Sequence, residues 1–329
     1  LNRSYLLISP CRDEAEFCAQ TLDSVLGQTV PPARWIIVDD GSSDETPAIL
    51  AEYARKHPCI SVVTRKDRGG RAVGPGVIDA FYTGYQAAEP ITERYLCKLD
   101  LDLDLPEAYF ERLMERMERD PRIGTCSGKP YYLDPGTNRL ISEKCGDETS
   151  VGMTKFYRAE CFEEIGGFVR EVMWDGIDCH RCRMFGWKAV SWDDPEIRFT
   201  HLRPMGSSQQ SMWTGRMRHG YGQYFMGTSL PFMTASALYR MTRPPLLVGG
   251  LAMWVGFMCS MLRDKVQYDD AAFRAFLRRY QWDALMRGKK RAIERIDREG
   301  EARWSGRHAQ SASATGDSDH SPYAALRRA

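Results

Sequence analysis

Short uninterrupted apolar runs alternate with segments of helical spacing through the first third of the chain. Residues 5–9, YLLIS, end at Pro10, and residues 35–38, WIIV, end at Asp39 and Asp40; both read as buried parallel strands. Between them, residues 14–28 set Phe17, Thr21, Leu22, Val25 and Leu26 on one helical face, which makes a β-α-β unit. After the second run, GSSDETPAILAEYARKH supplies turn residues, a Ser/Asp cap, an early Pro and an apolar stripe at Ile49, Leu50 and Tyr53. Further strands are expected at 60–64, ISVVT, and 95–99, YLCKL, so the pattern predicts an α/β fold with a mainly parallel sheet. A helix over 106–119 opens at Pro106 and turns Phe110, Leu113, Met114 and Met117 inward, whereas 123–165 is less regular and holds the strand-like KPYYL.

From about residue 206 the β-α alternation stops and Met, aromatic, Gly and basic residues take over. Residues 244–262 carry no charge and are just long enough, as a helix, to cross a hydrocarbon core of about 30 Å. Cationic neighbours stand on both sides of them, Arg240 and Arg243 before and Arg263 and Lys265 after, which favours lying in a membrane interface over spanning it or serving as a buried core helix. Residues 269–296 place Phe273, Phe276, Leu277, Tyr280 and Ala284 on one face of a helix ringed by Arg and Lys. The polar tail from 297 is expected to be disordered. Three regions follow: 1–205, 206–296 and 297–329, with no internal repeat.

A chain of 329 residues, 43% hydrophobic and 27% charged, is neither disordered nor collagenous nor a disulfide-stapled miniature. Lys plus Arg (45) balances Asp plus Glu (44), which predicts no nucleic-acid partner. The balance is uneven along the chain: residues 1–202 carry 25 basic and 34 acidic side chains, residues 203–296 carry 15 and 5. The second part therefore suits an anionic surface or phosphate. The ten scattered cysteines read as reduced core filler, and the Cys179–Cys182 pair has no companion pair to complete a zinc site. No signal peptide is expected, and folding is placed in the cytosol.

In open α/β sheets ligands bind beyond the carboxyl ends of the strands. Those ends here read Pro-Cys-Arg-Asp-Glu (10–14), Asp-Asp-Gly-Ser-Ser-Asp (39–44) and Asp-Leu-Asp-Leu-Asp (100–104). So many carboxylates around one crevice call for a compensating cation or hydrogen-bond donors. In an extended segment Asp100, Asp102 and Asp104 share a face, as hard oxygen ligands for Mg2+ or Mn2+ bridging a diphosphate, or as a solvated sheet edge. Arg65, Lys66, Arg68 and Arg71, among Gly69, Gly70, Gly74 and Gly76, make a basic loop suited to a diphosphate or a plain surface turn. Its place after the third strand, not the first, argues against a dinucleotide-binding dehydrogenase.

The segments YLLISPCRDE, IIVDDGSSDET, KLDLDLDLP, EEIGGF, WDGIDCHRCRMFGWK and HLRP, in this order over about residues 5–205, resemble the inverting family-2 glycosyltransferases of the GT-A fold. The resemblance implies a Rossmann-like catalytic domain, to which the residues after about 205 add a helical, membrane-associated C-terminal extension. It implies that Glu14, Asp39 and Asp40 contact the nucleoside of a nucleotide sugar, the uridine type being favoured; Pro10 and Arg71 are counted with them. It makes Asp100 and Asp102 the metal pair and His201 a late third ligand, unless His201 is structural. Counting back from Gly186-Trp187, Asp175 falls on the family's catalytic Asp, but Trp174 stands where the family has Glu, which keeps Asp178 as a rival base; either could instead be a helix cap. The Gln-x-x-Arg-Trp motif of processive synthases is incomplete, since Gln209, Gln210 and Trp213 lack the Arg.

The expected activity is metal-dependent inverting transfer to a membrane-associated, lipid-linked saccharide, by an enzyme peripheral on the inner face of the cell membrane. A sugar nucleotidyltransferase would show a Gly-rich, Arg-containing loop directly after the first strand, which is missing. A non-catalytic membrane scaffold would have no use for Asp100, Asp102, Asp175 and Asp178 together.

Overall fold

The computed structural model describes residues 2–67, 69–70, 74–134, 136–203, 212–243 and 246–314. The chain opens with β1 (Tyr5–Cys11), α1 (Cys18–Leu26), β2 (Arg34–Asp39), α2 (Thr46–Lys56), β3 (Ile60–Thr64), α3 (Pro75–Ala87) and β4 (Tyr95–Leu99). The three apolar runs at β1, β2 and β4 are almost wholly buried because helices cover both faces of the sheet. Close approach of α3 depends on Gly84: a Cβ there would lie 2.7 Å from Ile8 Cγ2 and 2.8 Å from Val38 Cγ2.

The chain continues through β5 (Leu103–Asp104), α4 (Tyr109–Arg119), β6 (Ile123–Ser127), β7 (Pro130–Asp134), β8 (Arg139–Ser142), β9 (Thr154–Arg158), α5 (Ala159–Glu164), α6 (Trp174–Met184), β10 (Lys188–Ser191) and β11 (Phe199–His201). The main sheet has the order β10-β6-β9-β4-β1-β2-β3, and a small sheet runs β5-β11-β7-β8. β1, β2, β3 and β4 are parallel, but β9 runs antiparallel between β4 and β6, so the sheet is mixed. The α/β expectation stands with that adjustment. The antiparallel insertion escapes the hydrophobic pattern because TKFYR carries two charged residues in a strand that is buried throughout.

Beyond the sheet lie α7 (Met212–Phe225), α8 (Leu230–Met241), α9 (Val248–Leu262), α10 (Ala271–Arg287) and α11 (Lys289–Ala314). The uncharged stretch forms the 15-residue α9, and among the described residues no helix is long and apolar enough to cross a membrane. Glycines set α9 hard against its neighbours. A Cβ on Gly256 would meet Met217 O at 2.2 Å, and one on Gly250 would meet Ala237 O at 2.3 Å. Phe257 is consequently buried against α7 and α8, while Leu246, Leu247, Val248, Leu251 and Leu262 are exposed.

The expected helix over 269–296 is two helices, broken at Gly288, whose φ of 86° ends α10. Disorder from 297 is corrected as far as residue 314, where α11 runs on. Trp304 packs edge-on against Trp187, and a Cβ on Gly186 would lie 2.5 Å from Gly300 O, so this stretch has a docked face that its polar composition hides.

Candidate active site

A cleft of about 760 Å³ opens at the carboxyl ends of β1, β2 and β4 and reaches across to the C-terminal helices. Pro10, Glu14 and Asp40 line one end of it. Arg12 ties the two loops together by donating to Asp40 O and to Asp67 Oδ1, both at 2.8 Å. Arg65 Nη1 donates to Asp40 Oδ1 at 2.8 Å, so this arginine of the basic loop reaches the cleft's carboxylate. Arg68 and Arg71 lie outside the described residues. Asp39 is buried and does not line the cleft; its Oδ1 accepts from Ser42 N at 2.9 Å, holding the turn that presents Asp40.

The acidic string is not one extended segment: β4 ends at Leu99 and the chain bends before β5 begins at Leu103. Asp100 and Asp102 line the cleft over the buried Leu101 and Leu103, but Asp104 turns away to accept from Gln20 Nε2 at 3.0 Å. Lys98 pairs with Asp100 and also donates to Gly152 O at 3.0 Å. His201 arrives at the end of β11, with Nε2 3.5 Å from Asp102 Oδ2 and Nδ1 2.9 Å from Glu143 Oε2. Burial alone would push this imidazole down, but its bonds to Asp102 and Glu143 lift it to about 9, an imidazolium at neutral pH. Arg203 then bridges Asp102 Oδ2 at 2.8 Å and Glu14 Oε1 at 2.6 Å.

The protein's own cations thus occupy the acidic crevice, and among the described residues no three His, Cys, Asp or Glu side chains form a metal-ligating group. Asp102 Oδ1 is nevertheless buried without a hydrogen-bond partner. That orphaned oxygen, beside a second carboxylate and an imidazole, has the donor chemistry of a Mn2+ or Mg2+ site once Arg203 and the proton on His201 are displaced.

Asp175 and Asp178 sit on α6 but face different surroundings. Met173, just before the helix, has φ 64° and ψ 17°, an uncommon backbone for a side-chain-bearing residue, and it swings Trp174 and Asp175 to the cleft. Gly152 leaves the room: a Cβ there would stand 2.9 Å from Asp175 Oδ2. Asp178 lies one turn on and is 1% exposed, paired with the fully buried Lys155 and accepting from Tyr157 OH. Burial alone would depress Lys155, but the charge of Asp178 raises it above its ordinary value and keeps it charged. Lys155 Nζ also donates to Asp175 O at 2.9 Å, fixing the start of α6. Trp174, where the resemblance leads one to expect Glu, spreads its ring under both Lys98 Nζ (5.4 Å) and Lys155 Nζ (5.7 Å). Cys179 and Cys182 are both free and buried, and Cys182 Sγ lies 3.7 Å from Cys161 Sγ.

Lys98, Gly152, Lys155 and Glu143 are site residues that the pattern of the sequence does not mark, because each comes from a segment whose role is set by pairing across the sheet. Arg203 stands inside HLRP and was within reach of a charge count around His201.

Residues 7–175 match the family model described as glycosyl transferase family 2. The poly-beta-1,6-N-acetyl-D-glucosamine synthase of Staphylococcus epidermidis is 30% identical over 128 residues, 39% of this chain and 28% of that protein. Its counterpart in Staphylococcus aureus strain COL is 28% identical over 123 residues, 36% of this chain and 27% of that protein. The chain therefore matches little more than a quarter of the length of these relatives. Among solved structures, GalNAc-T7 with UDP, GalNAc and Mn2+ superposes with a TM-score of 0.54 at 14% identity, covering 86% of this chain and 57% of that one. S. aureus TarS gives 0.53 at 12% identity, covering 91% and 55%.

Proposed function

From the premise that this chain belongs to glycosyl transferase family 2 and is a glycosyltransferase, we propose that it moves a sugar from a uridine-type nucleotide donor, with inversion, to a membrane-associated saccharide in polysaccharide or glycolipid assembly. One observation carries the reading. A single cleft brings Glu14 and Asp40, the pair Asp100 and Asp102, and Asp175 to face one another. Donor nucleoside goes to Pro10, Glu14 and Asp40, with Asp39 acting through the turn. Asp100, Asp102 and His201 would hold Mn2+ or Mg2+, which when bound offsets charge on the departing diphosphate. GalNAc-T7, solved with UDP and Mn2+, supports that pairing.

The displacement needs a base for the acceptor hydroxyl. Asp175 is that base, since it is open to the cleft, while Asp178 spends its charge on Lys155. As the acceptor oxygen bonds to the anomeric carbon, the bond from that carbon to the diphosphate breaks on the opposite face. The hydroxyl proton passes to the Asp175 carboxylate and from there to solvent.

Residues 1–205 carry the donor machinery, and 206–296 build the acceptor side. The exposed Leu246, Leu247, Val248, Leu251 and Leu262, flanked by Arg240, Arg243, Arg263 and Lys265, form an apolar patch in a basic setting and support peripheral attachment to an anionic bilayer, on the cytoplasmic face. The synthase relatives support a role in polysaccharide assembly. Thermal stabilisation by a panel of nucleotide sugars, with and without Mn2+, tests the donor half: Mn2+-dependent stabilisation by one uridine sugar is expected. A chain that no nucleotide sugar stabilises, with or without metal, would overturn it.

A further inference from the structure

Past Asp175 the cleft reaches a wall made by α7 and α8, and there its charge reverses. Arg218 and His219 of α7 and Arg240 of α8 line it. Arg216, two residues before Arg218 on α7, adds positive charge near this wall without lining the cleft. Burial and those three arginines push the His219 imidazole down to about 3, so it stays neutral.

Other arginines and lysines of the cleft have acids: Arg203 has Glu14 and Asp102, Arg183 has Asp297, Lys289 has Glu148. Arg218 and Arg240 have none. Among the described residues no carboxylate pairs with either, and the charges felt by Arg240 are those of Arg216 and Arg243 and the phenol of Tyr239. Gathering guanidinium groups at one wall of a cleft without a counter-charge is unfavourable unless an anion fills the gap. Planar guanidinium forks suit the oxygens of a phosphate.

The position says whose phosphate it is. Gly222 of α7 rests on the residue before α6, so closely that a Cβ would lie 2.5 Å from Met173 Cγ. Arg218 is one turn earlier, about 6 Å along the helix axis. The cluster thus flanks the start of α6, where Asp175 would meet the acceptor hydroxyl.

We propose that Arg218 and Arg240 form a phosphate-binding site for the acceptor, so that the acceptor carries a phosphate or diphosphate close to the hydroxyl that receives the sugar. The purpose of the site rests on the transferase reading; the binding itself does not. A lipid-borne diphosphate and a soluble sugar phosphate present the same oxygens.

Calorimetry on the full chain, in the presence of saturating UDP and Mn2+, distinguishes the possibilities. Inorganic diphosphate is expected to bind, and the double variant Arg218→Ala, Arg240→Ala to lose tenfold or more in affinity while its affinity for UDP changes less than twofold. The double variant with Lys at both positions, which keeps charge and loses the fork, should fall between them and guards against misfolding. Tighter binding of farnesyl diphosphate in phosphatidylcholine vesicles than of glucose 6-phosphate assigns a lipid source; the reverse order assigns a soluble one. Equal loss of UDP and diphosphate binding would place these arginines on the donor, and undiminished diphosphate binding by the alanine variant would remove the site; either overturns the proposal. Absent UDP binding with arginine-dependent diphosphate binding would refute the donor reading and leave the anion site standing.

Discussion

Asn in place of Asp175 keeps the shape of the side chain and its place beside Gly152, and removes the oxygen that can take a proton. Transfer should fall about 10²–10⁴-fold with the donor's Kd within twofold, read by initial rates and calorimetry. Asp102→Asn should instead abolish the Mn2+-dependent part of UDP binding, because it neutralises the side chain holding the orphaned buried oxygen. A third change concerns stability. Lys155→Met strands the charge of Asp178 in the interior and should cost about 3–5 kcal/mol in denaturant unfolding, much of it regained when Asp178→Leu is added. These residues were unequally legible. Asp100 and Asp102 follow an apolar run, so a strand end with acids in the ligand position could be read directly. Asp175 could be set ahead of Asp178 only through the resemblance, because the physical difference between them is made by Lys155, and a lysine inside a strand reads as a solvent-facing position.

At the level of elements, the β-α units were legible wherever one face of a helix or an unbroken apolar run met the sheet, as at β1, β2, α2 and α4. Pattern failed where pairing took over. β9 is held between two strands that run against it, and its charged residues are paired internally. The helix pair α7 and α9 is built on glycines, which a hydrophobic count does not weigh. A side chain at Gly256 has no free volume, with Met217 O 2.2 Å from where its Cβ would be. Gly256→Val should therefore destabilise the chain by at least 1–3 kcal/mol, roughly the range for overpacking, and should shift α7 and with it Arg218. Denaturation midpoints and diphosphate affinity should fall together in this variant.

For the molecule as a whole, the net basic charge of residues 203–296 and the exposed leucines at the start of α9 should act jointly on a bilayer. Full-length protein should co-sediment with phosphatidylglycerol vesicles and less with phosphatidylcholine; high salt should weaken the first without abolishing it. Leu246→Asp with Leu247→Asp should abolish what remains at high salt. Should wild type stay in the supernatant with both lipids at low salt, the patch has another purpose. Deleting everything after residue 240 is a poorer test than these substitutions, since Ile177 of α6 packs against Phe273 and Leu277 of α10, and Tyr280 and Lys289 line the cleft itself. That closure has a consequence during synthesis. Pro10 and Ile293 border the same cavity, so a nascent chain would display its nucleotide loops long before the ribosome had released the helices that complete them. On the transferase reading, a chain still lacking those helices would present Pro10, Glu14 and Asp40 to a cleft open on its far side.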